Sequence, residues 1–185
     1  MADVSEVSAR YTRVAHGFTV RVEGVESDGW SAATSCPDWT VRDLVAHVTT
    51  THRRVVANLD GTEPVEVDLD ADLGPQWLGA TAAVAEALGD ESRASKLVGG
   101  MFGEQTFESL VGRLLCTDTL VHTWDLARAT GQDETLDADA VSRSREALGP
   151  MDEAIRRPGG FGPKIDSAPG ADVQTAFLNF CGRAP

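Results

Sequence analysis

Positive charge is what this sequence has least of. Sixteen Lys and Arg stand against 29 Asp and Glu, for a formal net charge of −13. Nucleic acids and anionic membranes both demand a basic face, so neither is expected as a partner. Lysine is confined to Lys96 and Lys164, an arginine bias that points to a GC-rich genome. Cysteine is sparse too. Cys36, Cys116 and Cys181 are odd in number and far apart, which excludes a disulfide framework and predicts reduced thiols in a cytoplasmic protein. No apolar run approaches the roughly 18 to 20 residues that span a bilayer. The N-terminal MADVSEVSARYTR has no apolar segment of the signal-peptide kind. Strand signals are nearly absent, and repeats, low-complexity tracts and interdomain linkers are missing as well. What remains is 185 residues, 42% hydrophobic and 24% charged, the composition expected of one soluble domain over residues 1–185.

Helical periodicity is what is there. Val7, Tyr11, Val14, Phe18 and Val22 predict a first helix over about residues 3–25. After the loop that ends in Ser35-Cys36-Pro37-Asp38-Trp39-Thr40, the start of a second helix is well marked. Thr40 is placed to cap it, Asp43 occupies the third helical position, and Trp39 can staple onto Leu44. This helix is expected to reach about Leu59, before Asp60-Gly61, and the acidic stretch from Thr62 to Gly74 reads as loop. A third helix is expected over about Pro75 to Leu88, with Pro75 in its first turn. An extended connection follows over about residues 94–103, then a long fourth helix from about Glu104 to Thr130, stopped by Gly131. A shorter helix capped by Asp137 reaches about Leu148. A Pro/Gly-rich loop from Arg157 to Pro163 precedes a last helix over about Ala171 to Phe180. Such a pattern predicts a helical bundle.

The most informative stretch runs from Leu114 to Leu126. At about 100° per residue, Leu110, Val111, Leu114, Leu115, Val121 and Leu126 share one broad face. Asp118, His122 and Asp125 fall inside it, at spacings i, i+4 and i+7. A buried carboxylate costs several kcal/mol unless it is paired or ligates a metal. Asp and His one turn apart can hold a single divalent ion, so a metal site is one reading. A hydrogen-bonded Asp–His pair in the core is the other.

The remaining histidines divide differently. His16 lies opposite the apolar stripe of the first helix and reads as a surface residue. The second helix buries Val41, Leu44, Val45, Val48, Val55, Val56 and Leu59; His52 falls near the middle of that stripe, and His47 at its edge beside Thr40 and Thr51. Periodicity favours His52 as the buried one, while an edge position suits a residue lining an open pocket. Helical geometry leaves that choice open.

Two motifs carry a resemblance. Cys36-Pro37-Asp38-Trp39-Thr40-Val41-Arg42-Asp43-Leu44-Val45-Ala46-His47 and Asp118-Thr119-Leu120-Val121-His122-Thr123-Trp124-Asp125-Leu126-Ala127-Arg128-Ala129-Thr130-Gly131 together resemble the mycothiol-dependent maleylpyruvate isomerase-like family, within the DinB-like superfamily. Phe161-Gly162-Pro163 and Phe180-Cys181-Gly182-Arg183-Ala184-Pro185 resemble the endings of its short members. The resemblance implies an all-α, DinB-like four-helix bundle with short extra helices. It also implies a divalent metal, usually zinc, held by a His on the second helix and an acidic-x-x-x-His pair on a later one. Carried over by motif, those ligands are His47, Asp118 and His122, which selects His47 over His52. The thiol cosubstrate implied is mycothiol. Two departures stand out: the characterised isomerase has Glu where this chain has Asp118, and its C-terminal sterol-carrier-like domain has no counterpart in the 185 residues.

Two imidazoles and one carboxylate would leave an open position on zinc, as in catalytic sites. A thiol arriving there loses its proton, and the thiolate attacks an electrophilic carbon. S-transfer or isomerisation of a small electrophilic substrate follows from that first step. The alternatives are a metal-binding bundle without catalysis and a metal-dependent hydrolase. The expected partners are a small-molecule thiol and an electrophile, with a homodimer left open. Around the ligands, Asp125 either orients a metal-bound His from behind or satisfies backbone amides or an arginine such as Arg42 or Arg128; Thr51 is the other candidate for such an outer role. Cys116 faces away from Asp118 and His122 and reads as structural. Cys36, in the turn before the second helix, reads as a packing residue, and Trp39 and Trp124 as core and staple residues.

Overall fold

The computed structural model describes residues 5–100, 103–156 and 160–185. Residues 3 and 4 of the expected first helix, and residues 101–102 and 157–159 of two expected loops, lie outside the described residues. Four helices build the core: α1 (Glu6–Glu23), α2 (Val41–Asp60), α3 (Leu73–Gly89) and α6 (Cys116–Thr130). Each packs on two others, α1 on α3 and α6, α2 on α3 and α6, which closes the ring. Short elements α4 (Glu91–Ala94) and α5 (Phe107–Leu110) lie between α3 and α6; α7 (Ala138–Leu148) and α8 (Val173–Phe180) follow. The architecture is the all-α, DinB-like four-helix bundle with short extra helices.

The helix starts obey local chemistry. Thr40 and Asp43 form a reciprocal capping box: the Asp43 N–H donates to Thr40 Oγ1 at 3.3 Å and the Thr40 N–H to Asp43 Oδ2 at 2.9 Å. Asp72, Asp137 and Asp172 cap α3, α7 and α8 with a single bond each, their carboxylates accepting the N–H of Gly74, Ala140 and Thr175. Gly61 and Gly131, at φ of +70° and +67°, end α2 and α6 in the left-handed conformation that a side chain resists.

Two expectations fail between α3 and α6. The extended connection is half of a hairpin, with β1 (Leu97–Val98) antiparallel to β2 (Gln105–Thr106), Leu97 opposite Thr106. Helix therefore begins at Phe107, capped by Thr106, and not at Glu104. The run from there to Thr130 is also not one regular helix, because Val111–Leu115 form a π-helical turn ahead of α6. A π turn holds an extra residue, so a constant 100° step misphases Leu110 to Leu115 against Asp118. The irregularity admits α1 at close range: a Cβ on Gly112 would meet Arg10 Nη2 at 3.0 Å and Val7 Cγ1 at 3.3 Å.

One apolar stripe is also too modest a description of α6. Eleven of its 15 residues are buried. One side faces the core around Phe18, Leu44, Trp77 and Phe107, and the other faces a second cluster in which Val121 and Trp124 meet Val141, Leu148, Phe177 and Leu178 of α7 and α8. A helix covered on both sides can keep polar groups only where they are paired.

His52 is one such group, and it lies where periodicity put it, fully buried against Tyr11 and Trp77. Its Nδ1 donates to the Val48 carbonyl at 2.9 Å. Burial pushes its pKa down to about 4, more than the Val48 hydrogen bond and the Asp118 charge pull it up. The folded protein thus keeps His52 neutral where the unfolded chain takes up a proton. That imbalance withdraws stability as pH falls from about 6.5 toward 4, about 2 kcal/mol of it between pH 7 and 5. Urea unfolding of the wild type and His52→Leu at both pH values measures it. The wild type should lose about 2 kcal/mol more than the variant on acidification, and parallel losses would refute the account.

Candidate metal centre

The capping box sets the phase of α2 so that Val41, Leu44, Val45 and Val48 point into the bundle and His47 points to its rim, half-buried. On α6, Asp118 and His122 stand one turn apart and face His47 across the α2–α6 contact. Asp118 Oδ1 lies 3.5 Å from His47 Nε2 and 3.6 Å from His122 Nε2. The two imidazoles are 5.1 Å apart and nearly perpendicular, and one ligand atom from each of the three residues lies within 4.8 Å of the others. His52 takes no part. Trp39 closes one side, with its rings 4.7 Å from His47 and 5.9 Å from His122. The turn that presents it includes Asp38 at φ 65°, a left-handed conformation that Asp tolerates better than most residues.

The cluster has the electrostatics of a cation site. Burial alone would raise the pKa of Asp118, but the His122 charge and hydrogen bonds from His122 and His47 outweigh it and hold the carboxyl far below the usual range. Burial likewise disfavours charge on His122, yet Asp118 and Asp125 raise its pKa well above the ordinary value. A carboxylate with two imidazoles around it therefore draws positive charge inward, as a proton or as a metal ion. The second carboxylate oxygen, Asp118 Oδ2, is buried and has no hydrogen-bond partner among the described residues. An unsatisfied buried carboxylate oxygen costs stability unless a ligand completes it. The donor set, two imidazoles and a carboxylate, fits a zinc-type ion.

Behind His122 lies a second layer. Its Nδ1 is 3.0 Å from Asp125 Oδ2 and donates there, so Nε2, on the Asp118 side, is the nitrogen that gives up its proton when a metal takes the place of that charge. Asp125 is fully buried and paired with an arginine, but not with Arg42 or Arg128. Arg42 donates to the Leu69 carbonyl, and Arg128 pairs with Glu134 and stacks on Trp124. The partner is Arg183, which grips the carboxylate with Nε at 3.1 Å from Oδ1 and Nη2 at 2.7 Å from Oδ2. Periodicity offered no signal for it, since Arg183 follows the last helix; an unpartnered buried Asp125 was the clue that some cation must arrive. Thr51 donates its hydroxyl to the His47 carbonyl, one turn back, at 3.0 Å.

Cys36 also sits closer to the chemistry than its turn suggested. Its Sγ lies 3.5 Å from Asp125 Oδ2, 4.0 Å from His122 Nδ1 and 3.4 Å from Arg183 Nη2. Cys36, His122 and Asp125 thus make a second group with metal-ligand spacing. There the cation's place is already taken by the Arg183 guanidinium, so this group supports His122 instead of competing for an ion. The other two thiols are inert by environment, because burial pushes Cys116 up to about 11 and Cys181 up to about 12.

Of the three candidate ligands, His47 lines a groove of about 400 Å³, whose lining also includes Asp38, Trp39, Thr50 and Glu66. No described helix is long and apolar enough to cross a membrane.

A family model for the mycothiol maleylpyruvate isomerase N-terminal domain matches residues 11–127, a span that holds Cys36, His47, Asp118, His122 and Asp125 and stops short of Arg183. Uncharacterised proteins from two strains of Mycobacterium tuberculosis (CDC 1551 / Oshkosh and ATCC 25618 / H37Rv) are each 33% identical over 177 residues, covering 91% of this chain and 94% of their own length. No solved structure matches the chain. With residues 11–127 under the family model and this helical bundle around them, the chain belongs to the mycothiol maleylpyruvate isomerase N-terminal domain family.

Proposed function

We propose that this protein is a divalent-metal-dependent enzyme, an S-transferase or isomerase, that activates a mycothiol-type thiol and directs it at a small electrophile. The observation that carries the reading is Asp118, whose Oδ1 lies 3.5 and 3.6 Å from two imidazoles on different helices while its buried Oδ2 has no hydrogen-bond partner among the described residues. His47, Asp118 and His122 would hold the ion. A bound zinc-type ion supplies Lewis acidity, which lowers the pKa of an incoming thiol and favours the nucleophilic thiolate.

The chain's own residues do the rest. Asp125 holds the proton on His122 Nδ1, so that Nε2 stays a lone-pair donor. Arg183 fixes Asp125, and Cys36 packs against both. Trp39 shields the imidazoles on one side, while half-exposed His47 opens to the groove where a thiol and its acceptor can enter. Addition of the thiol to a double bond gives a transferase, and later expulsion after bond rotation gives an isomerase.

The test is consumption of mycothiol with a panel of electrophiles by protein reconstituted with zinc, with and without chelator. Chelator-sensitive consumption is the expected result. Calorimetric titration with mycothiol and other low-molecular-weight thiols forms the second arm; equal or absent binding for all of them would sink the thiol reading. Metal-dependent ester cleavage without thiol would establish a hydrolase instead.

A further inference from the structure

The groove beside His47 is acidic in an uncompensated way. Among its lining residues Asp38, Asp43 and Glu66 bring three carboxylates, and no Lys or Arg is present. Asp43 is engaged in the capping box. The carboxylates of Asp38 and Glu66 are exposed and form no salt bridge with the described residues. Arg54, one turn beyond Thr50 on α2, is exposed and does not line the groove, and three other arginines are committed elsewhere. Arg42 donates to the Leu69 carbonyl and lies over Trp30, Arg53 donates to the carbonyls of Val65 and Glu66, and Arg183 is locked on Asp125. The chain as a whole carries −13. A ligand entering this groove meets carboxylates on its lining and no lining guanidinium to receive a carboxylate.

We propose that the groove selects an uncharged or cationic electrophile and disfavours anionic ones, including dicarboxylates. This inference rests on the thiol-transfer reading above. In the reaction it implies, a new S–C bond forms as the electrophile's π bond breaks, and the proton released by the thiol ends on the adjacent carbon. The addition is redox-neutral. Two like charges at the rim, within a Debye length of the ligand, lower its occupancy by about tenfold or more at low salt and by less as salt rises.

A matched series isolates charge from shape: N-ethylmaleimide, its N-carboxyethyl counterpart and its N-(trimethylammonio)ethyl counterpart, each with mycothiol and the zinc-loaded full chain. After subtraction of the uncatalysed rate, the anionic member should show a kcat/KM about tenfold or more below the neutral one, with the cationic member at or above it. The gap should narrow in about 0.5 M salt and in the double variant Asp38→Asn, Glu66→Gln. Binding is read separately with the three corresponding succinimides, which cannot alkylate Cys36, by quenching of Trp39 fluorescence against a Trp39→Phe blank. Equal or preferential binding of the anionic succinimide, a preference unmoved in the double variant, or no binding of any member each overturns the proposal. If the succinimides bind in the expected order but no maleimide is consumed, the charge selectivity stands and the thiol-transfer reading falls.

Discussion

Arg183→Met destabilises the folded protein by about 3 to 5 kcal/mol, the expected cost of stripping one partner from a buried ion pair. Asp125 is fully buried, and Arg183 meets both of its oxygens at 3.1 and 2.7 Å. Burial works against ionisation of Asp125, and it is the pull of His122 and Arg183 together that keeps its pKa low. Without the guanidinium, the carboxylate keeps only His122 and the weak Cys36 thiol as donors. The methionine stem preserves much of the packing, so the loss reports the charge. Chemical denaturation is the measurement. Asp125→Asn in the Arg183→Met background should recover part of the loss, because the stranded charge is then gone. A loss below about 1 kcal/mol, the range of exposed pairs, would show that Arg183 does not carry this layer.

His122→Ala has its main effect elsewhere. On the proposed metal reading it removes a ligand and not a support, so it should weaken zinc binding by more than the 10- to 100-fold typical of outer partners, yet leave a cooperatively folding bundle. The core around α6 is held by apolar packing on both sides, and Arg183 continues to compensate Asp125. Asp118 keeps His47 as a neighbour and can take up a proton where the imidazole charge is lost. Zinc content after dialysis, read beside far-UV circular dichroism and an unfolding curve, separates the outcomes. Retention of zinc at wild-type affinity would remove His122 from the ligand set. A variant that does not fold would make the Asp118–His122 pair structural.

The legible parts of this protein are those whose physics is local. The Thr40–Asp43 box, the Asp137 cap and the glycine stops at Gly61 and Gly131 each depend on a few adjacent residues. They could therefore be read off directly, with boundaries displaced by a residue or two. The i, i+4 spacing of Asp118 and His122 likewise placed both on one side of α6 before any packing was known. The choice between His47 and His52 was not local. Helical phase correctly identified His52 as the buried one, and the motif pointed to His47 as the one near Asp118, because burial and nearness to a charged cluster are different properties.

Tertiary structure alone decided the remainder. The π turn at Val111–Leu115, where α1 comes close to Gly112, is encoded by no repeat in the sequence. The burial of α6 on both sides depends on α7 and α8 folding back over it. Arg183 reaches Asp125 across 58 positions of chain, and Cys36 reaches it across 89. The sequence by itself determined where helices start and stop, that the chain is all-α, and that buried carboxylates on α6 needed a cation. That Arg183 is the cation answering Asp125 was settled only when the chain closed, because a charge is compensated by whatever lies a few ångströms away in space.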